Sequence, residues 1–431
     1  MIARLRSSSL LLFVQFLTIS TIYLVSFVPN FFSSIYAEDG SIYVQNALDQ
    51  SLLETILRTY AGYLDVPARL IGWIVSNFEI HFFPIVIATL VTITMAVFLT
   101  LICNSVNSLF LNQTLSFLFA VFLLILPIAR FESIGNITNL HFYFFVTAFF
   151  VILNYQFTGQ SSTFRNVFCL LASLSIPLTL IIFFLYPLRA NSSRQWFISW
   201  KLDERVKSLK NNPWTYMTLG LMVNLALSRN TISERSPMNT FDLQKSTYLF
   251  FERVIGRNIV PFWGHASGSE SDSSFTRTFL PNLEIRLLVA SAIFFLMTFL
   301  IFKEFKKGQV VYVYTLMLVT LYSFSVSILY NLEPRYAIFP GYLVIFLLFL
   351  RISTSKKRAL IIFMFIWMLM LTLTSREETK SRMFAPDWRQ TVESASANCA
   401  KSGLTTTSMQ IAPFHTDKSW FLTAPCVNLR D

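Results

Sequence analysis

Two adjacent carboxylates, Glu38 and Asp39, stand in the run Tyr36-Ala37-Glu38-Asp39-Gly40, shortly after an apolar stretch at 9–28. Neighbouring carboxylates on one chain point in different directions, so they do not form the spaced acid–base pair that hydrolyses glycosides. They suit one general base with a neighbour that positions it, or a ligand set for a divalent metal. A plainer use stands beside these: both side chains could cap a helix predicted over 41–57, where the helix dipole favours negative charge. The same loop continues through Arg58-Thr59-Tyr60-Ala61-Gly62-Tyr63 and Pro67-Ala68-Arg69-Leu70. Two further clusters lie far along the chain. One is the turn Arg130 to His141, which ends Asn139-Leu140-His141; the other is Asn331-Leu332-Glu333-Pro334-Arg335-Tyr336. His141 could equally be an interfacial imidazole bonded to a loop carbonyl, and Arg335 a headgroup anchor. Together, carboxylates, arginines, a histidine and tyrosines suit an acidic, lipid-linked sugar donor. The arginines would neutralise a phosphate leaving group while one carboxylate activates an acceptor hydroxyl.

The elements that must hold these residues are apolar. Of 431 residues 54% are hydrophobic and only 13% charged, with a mean hydropathy of +0.56. A soluble domain carries about 25% charged residues, so this chain has too little charge to cover a wetted surface. Its apolar residues also come in runs of about 20, the length that crosses a bilayer core. The runs lie at 9–28, 82–103, 110–129, 140–157, 167–188, 214–227, 285–302, 310–330, 337–350 and 359–373. The net charge of +11 does not point to nucleic acid. Lys303, Lys306 and Lys307 share one short connector and Arg351, Lys356, Lys357 and Arg358 another, which is the positive-inside pattern rather than a basic stripe among stacking aromatics.

These connectors orient the chain in a plasma membrane, with the N-terminus cytoplasmic and the C-terminus extracytoplasmic. Arg4 and Arg6 precede the first run, which is longer than a signal-peptide core and reads as an uncleaved span. The external polar regions are then 30–81, 228–284 and the tail. The run 167–188 poses a parity problem, and a broken re-entrant hairpin at Ser175-Ile176-Pro177 resolves it, since proline breaks a helix. The expected organisation is a polytopic membrane domain at residues 1–375, with the site in its first external loop at 30–81, and a small tail at 376–431. Cys103 and Cys169 fall inside apolar runs and read as packing residues. Cys399 and Cys426 form a lone pair in a polar external segment and read as a disulfide.

On these residues the chain resembles the GT-C superfamily of membrane glycosyltransferases, which includes protein O-mannosyltransferases and aminoarabinose transferases. The resemblance rests on Glu38-Asp39 in the first external loop, with support from Arg58 to Tyr63, Pro67 to Leu70, Asn139-Leu140-His141 and the break at Ser175-Ile176-Pro177. It implies an all-α, polytopic helical bundle with a small external tail. It also implies an inverting transfer from a polyprenyl-phosphate sugar to an envelope glycan, lipid or protein acceptor. Carried over, Asp39 is the first choice for the base and Glu38 the second; Arg58, Tyr60, Tyr63, Arg69, Asn139, His141, Arg335 and Tyr336 would bind donor and acceptor. The Glu-Asp order departs from the Asp-Glu of O-mannosyltransferases, which leaves the assignment within the pair open. The hairpin also lacks the Lys-Gly of some relatives, so phosphate recognition falls to Arg58, Arg69 or Arg335. The competing class is a lipid or polysaccharide transporter or flippase, which would place ionisable groups near the bilayer midplane within repeated halves.

Overall fold

The computed structural model describes residues 2–28, 30–60, 62–125, 134–188, 212–228, 243–256, 283–305, 310–330, 334–353, 362, 366–367, 369–371, 382, 385–412 and 420–429. Three described helices are long and apolar enough to cross a membrane: Ser9–Phe27 within α1 (Ile2–Phe27), Ile80–Phe110 containing α5 (Phe83–Phe110), and α7 (Leu140–Thr158). Each is apolar around its whole circumference, as befits a helix surrounded by other helices or lipid. Burial separates them: 89% of the α7 span is buried but only 28% of the α1 span, so α7 is the central post and α1 lies outside.

Aromatic side chains fix α7 to its neighbours. Phe144 meets Phe98 of α5 edge-on at 4.8 Å and stacks on Phe168 of α8 (Thr163–Ser175) at 4.8 Å. Phe150 meets Phe119 of α6 (Gln113–Ile125) at 5.5 Å. Phe145 stacks on Phe339 at 4.1 Å, at the start of the later helix Ile338–Ser353. Such ring pairs contribute about 0.5–1.5 kcal/mol each beyond area burial.

The break expected at Ser175-Ile176-Pro177 is present. Helix α8 ends at Ser175, Ile176 is extended, and a 3-10 segment runs over Pro177–Leu188. The helix α9 (Pro213–Ser228) lies against α8, with Gly220 so close that a Cβ would stand 2.7 Å from the Leu170 carbonyl oxygen. Asn224 of α9 then donates to the Ser173 carbonyl at 2.9 Å. The basic segment at 189–211 and most of the run at 359–373 lie outside the described residues, as do Arg130, Asn331 and Glu333.

One expectation is corrected and another refined. The helix predicted over 41–57 is three short pieces: a π-helical turn Asp39–Val44, α2 (Gln45–Asp49) and α3 (Leu52–Leu57). Gln50 is extended, and Ser51 and Glu54 form a capping box that starts a new helix instead of continuing the old one. The chain is mostly helical, as expected, but the small tail adds strands. In the tail, a helix Trp388–Ser402 is followed by two antiparallel strands, β1 (Thr406–Ile411) and β2 (Trp420–Pro425). Alternation explains them: Met409 and Ile411 on one strand and Leu422 and Ala424 on the other face inward, with Thr, Ser and Gln between. Cys399 and Cys426 are disulfide-bonded, with Cα atoms 5.6 Å apart.

The tail is joined to the first loop by backbone. Ala37 donates to the Ala412 carbonyl and Ala412 donates to that of Ile35. Trp388 donates its amide to Ser33 O at 2.9 Å and its indole N–H to Ile80 O at 2.7 Å. The Thr423 amide reaches Gln45 Oε1 at 2.7 Å.

Candidate functional site

The first loop sends two carboxylates to the turn that opens α7. Asp39 is fully buried and does not cap its own helical turn. Its oxygens accept from the Ile137 amide at 3.0 Å, the Thr138 amide at 3.0 Å and the Thr138 hydroxyl at 2.8 Å. Burial pushes its pKa up to about 6, against the opposing pull of Arg382 and of these donors. Glu38, beside it, is half-buried, and its side chain makes no cap bond to the turn.

Arg382 supports this arrangement from the tail side. Its guanidinium donates to Gly135 O at 2.7 Å and lies over the rings of Tyr36, at 5.0 Å, and Phe31, at 5.8 Å. Its carbonyl accepts from Asn30 Nδ2 at 3.0 Å. Gly135 has φ +83°, a conformation glycine adopts without steric cost, and a Cβ there would stand 3.0 Å from the Phe31 ring and 3.1 Å from Val28.

The second carboxylate is Asp65, also fully buried. It sits in the left-handed region at φ +49°, ψ +51°, directly before the helix α4 (Val66–Ser76), and does not cap that helix. A conformation of this kind costs about 1–3 kcal/mol and persists only when the surroundings impose it. Here Leu64 donates its amide to Asn224 Oδ1 at 3.4 Å, and the turned backbone aims the carboxylate inward. Asp65 Oδ2 accepts from the Tyr43 hydroxyl at 2.7 Å and lies 3.4 Å from His141 Nδ1. Burial, then the Asp65 charge, hold the Tyr43 hydroxyl well above its ordinary pKa.

Arg69, one turn along α4, completes the cluster. Its guanidinium carbon lies 5.1 Å from the centre of the Tyr43 ring. The side chain is fully buried, and none of its three nitrogens has a hydrogen-bond partner among the described residues. Burial lowers its pKa, with Tyr43 and Asp65 opposing and the exposed Arg58 adding to the drop. The helix is pressed against Tyr43 at Gly72, where a Cβ would stand 2.6 Å from the Tyr43 carbonyl oxygen.

The expected residues therefore fall into groups. Tyr60, Tyr63, Arg69 and His141 are brought together: Tyr60 meets the Tyr43 ring at 6.0 Å, Tyr63 meets the His141 ring at 5.4 Å, and Tyr60 and Tyr63 exchange backbone hydrogen bonds. Asn139 adjoins them, donating to Asn136 Oδ1 at 3.1 Å inside the turn that Asp39 holds. Arg58 is at the rim. Tyr336 reaches the cluster through Phe142, at 5.2 Å, while the Arg335 side chain lies outside the described residues. Sequence reading passed over Tyr43, Asp65 and Arg382. Asp65 carried one usable signal, an acidic residue just before Val66-Pro67, but that reads as an ordinary helix start. Among the described residues no three His, Cys, Asp or Glu side chains converge as a metal site. Comparison with protein-family models, curated proteins and solved structures finds no match to this chain.

Proposed function

We propose that the chain is an integral-membrane, GT-C-like glycosyltransferase that moves a sugar, with inversion, from a polyprenyl-phosphate donor to an extracytoplasmic acceptor. One observation carries this reading: a buried guanidinium without a hydrogen-bond partner among the described residues, Arg69, stands in a cluster built by the same loop that presents Glu38 and Asp39. A buried cation of that kind is matched by an anion it can bind by paired hydrogen bonds, and phosphate has that geometry.

The chemistry divides the acidic pair. Asp39 holds three donors and so organises the turn before α7, which makes Glu38 the carboxylate available to a substrate. In the proposed step the acceptor oxygen bonds to the anomeric carbon as the carbon–oxygen bond to phosphate breaks. The acceptor's proton passes to Glu38. The leaving phosphate keeps the electron pair, and its charge is met by Arg69, with Arg58 at the rim. His141 Nδ1 lies 3.4 Å from Asp65 Oδ2, in the same cluster as Arg69.

Placement supports an enzyme over a transporter. In the three long apolar helices the histidines, His81 and His141, stand at the starts, and no Asp, Glu, Lys or Arg lies between Phe83 and Phe110 or between Leu140 and Thr158. The basic connectors and the Cys399–Cys426 bond together support an extracytoplasmic tail.

The test is the mass of lipid that co-purifies with the protein in mild detergent. A polyprenyl-phosphate sugar retained by the native chain and lost in Arg69→Gln is the expected result. Equal retention by the variant, once its folding is checked, would move the donor site elsewhere.

A further inference from the structure

A groove of about 530 Å³ runs between the tail helix and the start of α5. Its walls are held rigidly. Trp388 bonds to Ser33 on one side and to Ile80 on the other, so the tail helix cannot leave the two ends of the first loop without breaking both bonds. Phe32 and Phe82 are 40% and 49% exposed and present ring surface to the groove. Glu79, Asp387 and Glu393 bring three carboxylates, against the guanidinium of Arg389 and the imidazole of His81. Arg389 is bonded to Glu393 at 3.0 Å, while Asp387 caps the Gln390 amide at 3.2 Å. Glu79 is exposed. The groove thus carries surplus negative charge on a chain whose net charge is +11.

We propose that this groove binds a saccharide, and that it favours one bearing a free amine over one bearing a carboxylate. Rings exposed at a rigid wall offer flat apolar faces to the C–H face of a sugar, and carboxylates accept hydrogen bonds from hydroxyl and ammonium groups, the latter being the stronger. Anionic sugars meet three carboxylates against one guanidinium and are repelled. The groove is distinct from the buried Arg69 cluster. It borders the same loop, because Phe32 and Ser33 lie a few residues before Glu38. The proposal rests on the glycosyl-transfer reading only in making this saccharide the acceptor, and binding itself stands apart from transfer.

The experiment measures binding of three trisaccharides to the full chain in nanodiscs of zwitterionic phosphatidylcholine: a glucosamine trimer, a neutral glucose trimer and a galacturonate trimer. The expected order is amine, then neutral, with the acid undetected. Phe82→Ala should weaken the amine trimer at least tenfold, Glu79→Gln should weaken it and reduce its salt dependence, and Phe421→Ala on the outer face of β2 should leave it unchanged. Equal affinity for all three sugars, or affinity unchanged in both groove variants, overturns the proposal. So does loss of sugar binding to phosphatidylethanolamine nanodiscs together with binding of that headgroup in the groove. Transfer with groove variants unaffected would sink the groove and leave the enzyme; saccharide binding without transfer would do the reverse.

Discussion

Asp39 and Glu38 look equivalent in the sequence and are opposites in the fold. Asp39 accepts three hydrogen bonds at full burial, so Asp39→Asn sets an amide N–H₂ against a backbone donor and should cost about 1–3 kcal/mol. Its titration gives a signed prediction. The folded carboxyl has its pKa raised from 3.8 to about 6, so the folded state holds this proton more tightly than the unfolded one. Asp39's contribution to stability is therefore fully present below 3.8 and is lost as pH rises through about 6. Thermal scans of the detergent-solubilised protein across that window should show this fall, and Asp39→Asn should flatten it; an unchanged slope would show that Asp39 is not the group responsible. The acidic pair, Arg69, Asn139, His141 and the two loop tyrosines were legible because polar side chains are conspicuous in so apolar a chain. Asp65 was not, because its role depends on a left-handed backbone imposed from α9 through Asn224. Arg382 was not, because nothing in its neighbours marks it as a partner of Gly135.

Among the elements, α4 decides whether the cluster closes. Gly72 lets the helix touch the Tyr43 backbone, and an added methyl would meet that carbonyl at 2.6 Å. Backbone cannot yield as a side-chain tip can, so Gly72→Ala should destabilise the protein by about 1–3 kcal/mol. It should also pull the Tyr43 hydroxyl off Asp65, which ultraviolet absorbance titration of the tyrosines would detect as a lower onset of ionisation. Native stability and an unaltered titration would mean that α4 has room to slide. The apolar runs made the long helices easy to read, and Pro177 marked the break after α8. The first loop was harder: amphipathic spacing over 41–57 suggested one helix, but Ser51 and Glu54 satisfy each other's backbone and start afresh. The strands of the tail were missed because they are short, and their alternation is diluted by polar residues.

At the scale of the molecule, the tail serves as a brace for the loop that carries the acidic pair. It contributes a single backbone bridge at Ala412, the Trp388 anchors, and Arg382 over Tyr36. The disulfide closes a separation of 27 residues, so replacing both cysteines by serine should lower stability by about 2–4 kcal/mol. In the native chain Cys399 and Cys426 should resist an impermeant thiol reagent until a reductant is added. Labelling without reductant would contradict both the bond and its oxidising location. The central claim, that Glu38 takes the acceptor's proton in a sugar transfer, has a more direct test. In proteoliposomes loaded with polyprenyl-phosphate sugar, the rate of transfer to added acceptor is compared between the native chain and Glu38→Gln, a change at a half-buried side chain that makes no cap bond to its turn. A fall of about 10²–10⁴-fold, with donor retention and thermal stability unchanged, is the predicted result. Transfer at the native rate would contradict it.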